Sequence, residues 1–571
     1  MSANISVFAQ IESFGWAKHL ESDNYTSAYA SQLDDQGNLI VAGVFRGTID
    51  VDPGVGVDTL NNNWVNWINW SWYTIGNSDG IVAKYTPEGT LVWVKKFETF
   101  GSLIVNSIQF DEDQNIVLAG YYHGLIDFDP GPDTALFVGE QYYDPYAFVM
   151  KLDSVGNLIW VNEFHHSRIN SMDIDENGNI YSTGVFNENV DFDPSDDEYY
   201  LYSGFMNTPE TFVLKLNENG ELVWVKQFPC YVQVNSAQNL VLDDDENMVI
   251  SGKLSGPTDF DTDSTDQFIL GEPSVHSIYF CKLDSSGAFI WAKSMKCSEL
   301  ATPSSAVVDS MNNSYTAINF IDSVNIDTGN AVLNIESQGG RNALILKLDS
   351  SGNYIWHEAY LSIYDIGIMD IEIDILGAVY TTGYFREEID FDPSADSLFL
   401  STDSLGAFIH KLDTEGSFQW AHKLTSENGY VWARSLCVDD SFEVYTSGVF
   451  TGYTDFGIGM VNQSIDGGEM PDIFMHKINQ SISTVGVQEN IHVNSINLSP
   501  NPAKSIVRIQ SNFNTNAALY LVDLFGREIV QLDFKDGDEM SFDVSNYPSG
   551  IYFIQVLVDG ELIQSEKLIV E

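Results

Sequence analysis

The polar motif that recurs most regularly along this chain has the form Asp-Phe-Asp-Pro. Alternating aspartates place both carboxylates on one face of an extended strand, and carboxylates beside turn carbonyls suit Ca²⁺. Weak calcium sites are therefore one hypothesis, and calcium is the one cofactor that the sequence suggests. The alternative is that the aspartates cap a turn while the apolar residue packs between sheets, which the regular repetition favours. The candidate ligands are Asp50, Asp52, Asp127, Asp129, Asp191, Asp193, Asp390 and Asp392.

A second candidate site is the tryptophan-rich segment 61–73, which holds several asparagines as well. Flat rings stack on sugars and protein surfaces, and amides hydrogen-bond to them. The alternative is that this loop folds back and buries its rings, or pairs with a second copy. The predicted ligand contacts are Trp64, Trp67, Trp70 and Trp72.

Signals for catalysis are weak, and no catalytic residue is assigned. The ten histidines are scattered, and His165-His166 has no third partner at ligand spacing. Neither His-Glu-x-x-His nor Gly-x-Ser-x-Gly occurs. An acid/base pair among the many carboxylates stays an open alternative. The four cysteines lack zinc spacing and a disulfide framework, so free thiols are expected at Cys230, Cys281, Cys297 and Cys437.

An internal repeat positions these candidates. Seven tryptophans recur at steps of 64 to 77 residues, and a lysine lies nine residues before each of the last six. A marker aspartate precedes a position that is usually glycine, again by nine residues, in all seven repeats. The marker aspartates of repeats 1 to 7 are Asp34, Asp111, Asp175, Asp243, Asp309, Asp374 and Asp439. The marker lysines are Lys84, Lys151, Lys215, Lys282, Lys347, Lys411 and Lys477.

Each repeat predicts four strands joined by Asp-x-x-Gly turns. The second strand is apolar on both faces, as in Ile180–Phe186, which is typical of a sheet buried on both sides. Seven such sheets predict a seven-bladed β-propeller. Repeat 7 stops before its fourth strand, whereas Ile11–Leu20 is a fourth strand without a repeat, so the N-terminal strand is expected to close the ring. The long, variable loops between second and third strands form the expected contact face.

Three segments follow from these patterns: a propeller over 1–478, a polar linker over 479–494, and a small Ig-like β-sandwich over 495–571. The formal charge of −57 disfavours nucleic acids and anionic membranes. No apolar run is long enough for a transmembrane helix.

The C-terminal segment resembles a known family. Leu498–Ala503, Val522–Arg527, Tyr547–Phe553 and Lys567–Val570 occur in the order typical of a type A C-terminal sorting domain of the type IX secretion system. That resemblance implies export by the type IX machinery of Bacteroidota, and often removal of the domain afterwards. The repeats similarly resemble bacterial β-propeller repeats with an Asp-Phe-Asp-Pro element.

A sorted protein also needs a signal peptide. Val7–Gln10 resembles its cleavage site, although Met1–Gln10 lacks a basic region and a full apolar region. The two interpretations are a trimmed signal peptide and a simple leading strand.

These features predict a secreted or surface-attached binding and adhesion scaffold for glycans or proteins, without nucleic-acid partners. The alternative is a secreted carbohydrate-active hydrolase or lyase that uses the propeller cavity. A structural surface-layer component stiffened by calcium is the third hypothesis.

Overall fold

The computed structural model describes residues 8–484, 496–499 and 501–570, apart from internal gaps. The gaps are 55, 63–76, 140–144, 205–207, 231–234, 262–266, 299, 328–331, 393, 395–396, 459–460, 462, 512–516, 523–527, 535–538 and 559–560. None of the described residues forms a helix that is long and apolar enough to cross a membrane.

The chain folds into β-strands throughout the described residues. The first twenty are β1 (Phe8–Leu20), β2 (Thr26–Leu33), β3 (Leu39–Phe45), β4 (Thr48–Asp50), β5 (Thr59–Asn61), β6 (Asp79–Tyr85), β7 (Leu91–Phe97), β8 (Thr99–Phe110), β9 (Ile116–Asp127), β10 (Leu136–Val138), β11 (Tyr146–Leu152), β12 (Leu158–Phe164), β13 (Ser167–Ile174), β14 (Ile180–Phe186), β15 (Asn189–Asp191), β16 (Tyr200–Tyr202), β17 (Glu210–Leu216), β18 (Leu222–Phe228), β19 (Asn235–Leu242) and β20 (Met248–Leu254). The next nineteen are β21 (Thr258–Asp259), β22 (Ile269–Leu270), β23 (Ser277–Leu283), β24 (Phe289–Lys296), β25 (Thr302–Val308), β26 (Ser314–Phe320), β27 (Ser323–Asp327), β28 (Val332–Glu336), β29 (Asn342–Leu348), β30 (Tyr354–Tyr360), β31 (Ile366–Ile373), β32 (Val379–Asp390), β33 (Phe399–Leu412), β34 (Phe418–Glu427), β35 (Val431–Val438), β36 (Val444–Phe450), β37 (Tyr453–Asp455), β38 (Ser464–Asp466) and β39 (Asp472–Thr484). The last seven are β40 (Ile496–Ser499), β41 (Ile506–Ser511), β42 (Ala517–Val522), β43 (Glu528–Phe534), β44 (Glu539–Asp543), β45 (Gly550–Val558) and β46 (Glu561–Val570).

Seven antiparallel sheets in the described residues share one strand order, from a first to a fourth strand. Short hairpins or strand extensions lie between the second and third strands. The second strands are buried on both faces, as β3 and β14 illustrate, which confirms the prediction from their apolar sequences. In order, sheets 1 to 7 are β2-β3-β6-β7, β8-β9-β11-β12, β13-β14-β17-β18, β19-β20-β23-β24, β25-β26-β29-β30, β31-β32-β33-β34 and β35-β36-β39-β1.

The first strands of successive sheets contact one another in a closed cycle. β2 contacts β8, each later first strand contacts the next, and β35 contacts β2 again. The fold is therefore all-β and propeller-like, with the first strands innermost. Apolar cores lie between neighbouring sheets, as where Val149 of sheet 2 packs with Phe192 and Phe212 of sheet 3.

The marker residues of the repeat form a latch between neighbouring sheets. In sheet 4, Lys282 Nζ lies 2.5 Å from Asp243 Oδ2, and both side chains are buried. The same Nζ donates to the Ser350 carbonyl in the last turn of sheet 5, 3.5 Å away, and Trp291 Nε1 donates to that carbonyl at 3.1 Å. Trp291 also covers Gly352, whose φ of +73° and close ring contact suit only glycine. The marker spacing thus encodes contacts between sheets.

Sheet 7 receives its fourth strand from the N-terminus, as the sequence predicts. β1 pairs with β39, and Trp16 Nε1 donates to the Pro87 carbonyl of sheet 1 at 2.9 Å. Lys477 Nζ donates to that same carbonyl at 3.2 Å. The last latch therefore repeats the earlier ones, with Glu443 replacing the marker aspartate as the partner of Lys477.

Contacts between Cα atoms divide the chain into two units, one of residues Gln10–Ser483 and one of Met1–Ala9 with Thr484–Glu571. β39 continues to Thr484, inside the segment 479–494 for which a linker is predicted. The strand extends this far because β1 lies beside β39 and pairs with it.

The C-terminal residues form two sheets, β40-β41-β44 and β43-β42-β45-β46. Val507 and Ile509 of one sheet share an apolar core with Leu519, Ile554 and Leu568 of the other. Two sheets that face each other across one core make a small sandwich.

We expect Lys282→Met to lower the free energy of unfolding by about 3 kcal/mol, because it leaves the buried Asp243 carboxylate unpaired. Lys282→Met combined with Asp243→Asn restores part of the loss, since asparagine still caps the turn through its Oδ1. Urea unfolding gives the free energy of unfolding of the wild type, the single variant and the double variant. The matched control is Lys296→Met, whose pair with Glu272 is exposed and contributes less than about 1 kcal/mol. If the single variant Lys282→Met and the double variant lose the same free energy of unfolding, the latch is contradicted.

Stability should also depend on pH through the closure. Burial, with repulsion from Glu21 and Asp466, raises the pKa of Asp472 to about 7, and its Oδ1 accepts the Ser22 N–H at 2.8 Å. A raised folded-state pKa favours the protonated folded protein, so this contribution is full below the unfolded value of 3.8 and is lost as pH rises through 7.

Thermal unfolding at pH 5.5 and pH 8 tests this dependence. The melting temperature of the wild type is expected to be higher at pH 5.5, with about 2 kcal/mol of the difference from Asp472. Asp472→Asn narrows the difference, whereas the exposed Asp35→Asn leaves it unchanged. An undiminished pH effect in Asp472→Asn would show that the closure carboxylate is not responsible.

Candidate functional site

The aspartates of the Asp-Phe-Asp-Pro motif cap the loop that follows each second strand. In sheet 2, Asp127 Oδ1 accepts the N–H groups of Asp129 at 3.1 Å and Ala135 at 2.8 Å. Asp129 Oδ1 accepts the Gly131 N–H at 2.7 Å. The same bonds recur at the other candidate ligands, namely Asp50, Asp52, Asp191, Asp193, Asp390 and Asp392.

The residue between these aspartates is a core residue. Phe128, Phe192 and Phe391 are fully buried, and each packs on a phenylalanine of the third strand. This arrangement fits the structural alternative for the motif. Within the described residues, no group of three or more His, Cys, Asp or Glu is arranged to hold a metal ion. Calcium binding stays a prediction.

The tryptophan-rich candidate site lies outside the described residues, since Trp64, Trp67, Trp70 and Trp72 all fall in the gap 63–76. Ligand contact by these four rings stays a prediction. The four cysteines are free thiols, of which Cys230, Cys281 and Cys437 are buried.

A different group of residues breaks the repeat, and it lies where second strands end and first and third strands begin. The register places these ends together, as the pairing of Thr26 with Phe45 in sheet 1 illustrates. The marker lysines lie toward the opposite end, near the close of each third strand. All five arginines of residues 10–483 lie at the first of these ends, which we call the arginine end: Arg46, Arg168, Arg341, Arg386 and Arg434.

The arginines lie against aromatic rings that belong to several sheets. The Arg434 guanidinium is 4.6 Å from the Trp432 ring centroid and 5.5 Å from that of Tyr29 in sheet 1. The Trp432 ring in turn meets Tyr384 of sheet 6 edge-on at 5.4 Å. These contacts join the last two sheets to the first. We call this group the arginine–aromatic cluster, and it comprises Tyr25, Tyr29, Arg46, Tyr384, Trp432 and Arg434.

Three further arginines surround the cluster with exposed side chains. Arg341 and Arg386 interact electrostatically with Tyr384. Arg168 acts in the same way on Tyr121, which is also coupled electrostatically to Tyr29. Burial, the largest effect in each case, raises the pKa of Tyr29, Tyr121 and Tyr384, so these phenols stay protonated and can donate hydrogen bonds.

Two members of the cluster, Arg434 and Tyr29, lie at a repeat position that has a structural role in sheets 2 and 3. Five residues before the marker aspartate, Asn106 and Asn170 each donate to a carbonyl of the next first strand at 2.7 Å. Arg434 and Tyr29 occupy the same position in sheets 7 and 1. Aligning the repeats reveals this substitution, and the scarcity of arginine in the sequence is a second signal.

Deeper along the first strands lies a set of carboxylates that the sequence did not single out. Asp370 Oδ2 accepts the Leu436 N–H at 2.9 Å, and Asp173 Oδ2 accepts the Leu242 N–H at 2.8 Å. Burial raises the pKa of Asp370 and of Asp173 to about 6. Burial also raises the pKa of Glu372 well above its usual value, and repulsion from Asp370 and Asp173 adds to this effect. These shifts bring the titration of the three groups closer to neutral pH, the range in which acid catalysts work.

The C-terminal motif residues hold the last strand in place. Asn501 Nδ2 donates to the Lys567 carbonyl at 2.7 Å, and its Oδ1 accepts the Ile569 N–H at 2.8 Å. The Tyr552 hydroxyl donates to the Pro548 carbonyl at 2.8 Å. Asn501 therefore holds β46, the strand that contains the last sorting motif, Lys567–Val570.

Comparison with known proteins identifies this C-terminal unit. Residues 497–571 match the family model of the secretion system C-terminal sorting domain. An uncharacterized WD repeat-containing protein of Acanthamoeba polyphaga mimivirus is 24% identical over 164 residues, which is 27% of this chain and 11% of that protein. The match thus spans only a small part of the curated relative.

Among solved structures, a catalytically inactive virginiamycin B lyase from Staphylococcus aureus is 9% identical, with a TM-score of 0.33 over 83% of this chain and 99% of that one. A quinohemoprotein alcohol dehydrogenase from Pseudomonas putida is 9% identical, with a TM-score of 0.34 over 86% and 79%. The sequence match to the sorting family is the informative one. The protein is a secreted or cell-surface protein that carries a C-terminal sorting domain of the type IX secretion system.

Proposed function

We propose that this protein is a secreted binding scaffold for a glycan or protein ligand. Its seven sheets are the blades of a seven-bladed β-propeller that β1 closes, and its Ig-like C-terminal sandwich directs export through the type IX machinery. The ligand docks at the arginine end, on the face where the second-to-third-strand loops also lie.

The observation that carries this proposal is the arginine–aromatic cluster, because it departs from the repeat. A purely structural position keeps much the same solution from blade to blade, as the marker lysines do in pairing with a carboxylate of their own blade. At the arginine end, Arg434 and Tyr29 replace amides that bond to the neighbouring blade. Aromatic rings and arginines are the residues that most often dominate binding surfaces.

A second candidate function is a carbohydrate-active hydrolase or lyase, and the first-strand carboxylates favour it. Asp173, Asp370 and Glu372 have raised pKa values, as the acid of a glycosidase requires. However, Asp370 and Asp173 are each fixed by backbone N–H groups of a neighbouring blade, which is also what a structural carboxylate does. Binding without turnover is therefore the first proposal.

A glycan array combined with a polysaccharide-degradation screen separates the two functions. We expect the wild type to retain glycans without releasing products. Trp432→Ala and Tyr384→Ala are expected to weaken retention at least tenfold, since each removes a ring of the cluster.

The matched control is Tyr202→Ala, which removes an exposed ring from the outer hairpin β15-β16. Its retention should equal that of the wild type. If the wild type releases products and the Glu372→Gln variant does not, the hydrolase or lyase function is established instead. Retention unaffected by both cluster variants would place the binding surface elsewhere.

A further inference from the structure

The arginines and the marker lysines of the propeller lie at opposite ends of its strands. The chain carries 82 acidic and 25 basic residues, yet all five propeller arginines meet at one end. The marker lysines of the other end are neutralised by buried carboxylates. By contrast, no described carboxylate forms an ion pair with Arg168, Arg341, Arg386 or Arg434. An acidic protein has many carboxylates available, so this lack of pairing points to an anionic ligand.

Arg434 is held in a way that suits recognition of a planar anion. Its guanidinium lies over the Trp432 ring at 4.6 Å and over the Tyr29 ring at 5.5 Å, and these contacts restrict its position. Its Nε is buried and has no hydrogen-bond partner among the described residues. The two terminal amino groups of a guanidinium offer parallel N–H donors, and a carboxylate accepts both.

The surrounding arginines extend this site along the arginine end. Arg386 and Arg168 are exposed, so they can reach a ligand without any rearrangement of the core. Asp365, whose charge acts on Tyr384, accepts the main-chain N–H of Arg341 at 2.9 Å. Several positive charges spread over blades 3, 6 and 7 fit a ligand that carries more than one anionic group.

We propose that the arginine–aromatic cluster binds a carboxylated glycan, with Arg434 paired to one uronate carboxylate and the exposed arginines to further ones. This inference rests on the proposed binding function and names its ligand class. Aromatic rings at the site supply faces for the sugar rings, and the phenol groups of Tyr29 and Tyr384 supply hydrogen-bond donors.

The charge of the whole protein argues against a denser polyanion. Nucleic acids carry one charge per about 1.7 Å of duplex, so a chain of net charge −57 repels them strongly. A uronate glycan has at most one charge per sugar ring. At physiological salt the Debye length is about 8 Å, so the local arginines act on such a ligand while the distant carboxylates are screened.

Isothermal titration at 150 mM salt tests the proposal with two probes of equal length, a tetrasaccharide of galacturonic acid and the neutral tetrasaccharide of galactose. The full chain is expected to bind the acidic probe at least tenfold more tightly. Arg434→Gln should lose tenfold or more of that affinity, which is about 1.4 kcal/mol. Arg434→Lys should recover little of it, because lysine keeps the charge but not the planar pair of donors.

Two exposed positions keep the test independent of folding. Arg168→Ala and Arg386→Ala are each expected to weaken binding of the acidic probe severalfold at an unchanged melting temperature. Lys296→Ala removes one positive charge from an exposed pair in sheet 4 and should leave binding as in the wild type.

Three outcomes would overturn the inference. Equal or tighter binding of the neutral probe refutes the anionic ligand but leaves glycan binding intact. Binding of a tetraglutamate peptide that exceeds binding of the uronate probe, and that is lost in Arg434→Gln, transfers the site to acidic proteins. Absence of binding to both sugars and to a glycan array refutes the inference together with the proposed function.

Discussion

The propeller depends on one repeated interaction, a buried lysine that serves two sheets at once. Within its own sheet the ammonium pairs with the carboxylate that ends the first strand, as Lys151 does with Asp111 at 2.7 Å. With its remaining donors it holds a carbonyl in the turn of the next sheet, that of Glu218 at 3.1 Å. A buried ammonium is costly unless each donor is used, so the latch specifies where the next sheet must lie. The same bond to a turn carbonyl of the next sheet recurs at Lys215, Lys282, Lys347 and Lys477.

This chain of latches explains why the N-terminal strand is needed. The seventh lysine, Lys477, donates to Pro87 in the first sheet, and Trp16 on β1 covers the same turn. Without β1 that turn would lose its tryptophan, and β39 would have an open edge. The buried Asp472, whose Oδ1 accepts the Ser22 N–H, then ties the end of β1 to the third strand of sheet 7. Closure thus reuses contacts that other pairs of sheets make, as Lys282 and Trp291 do with the Ser350 carbonyl.

The fold was predictable because its strand order and its buried lysine–carboxylate pair recur in every repeat. Spacing alone indicates seven repeats, four strands in each, and the role of Ile11–Leu20 as the missing fourth strand. The motif Leu498–Ala503 likewise indicates the sorting domain, in which Asn501 fixes the last strand. The aspartates around Phe128 raised two interpretations, and their bonds to backbone N–H groups fit turn capping.

The arginine–aromatic cluster was not predictable in the same way, since its members share no spacing. Arg434 precedes its marker aspartate by five residues, whereas Tyr384 follows the glycine position of another repeat by one. Tyr384 reaches the cluster from the neighbouring sheet 6, and Tyr29 reaches it only because the ring brings sheet 1 beside sheet 7. In a repeat protein, the residues that stabilise the fold tend to be shared by all repeats, whereas functional residues tend to occur where one repeat differs from the others. The arginine end is therefore the place where this protein departs from its own symmetry, and the unpartnered Nε of Arg434, within the described residues, is the physical cost of that departure.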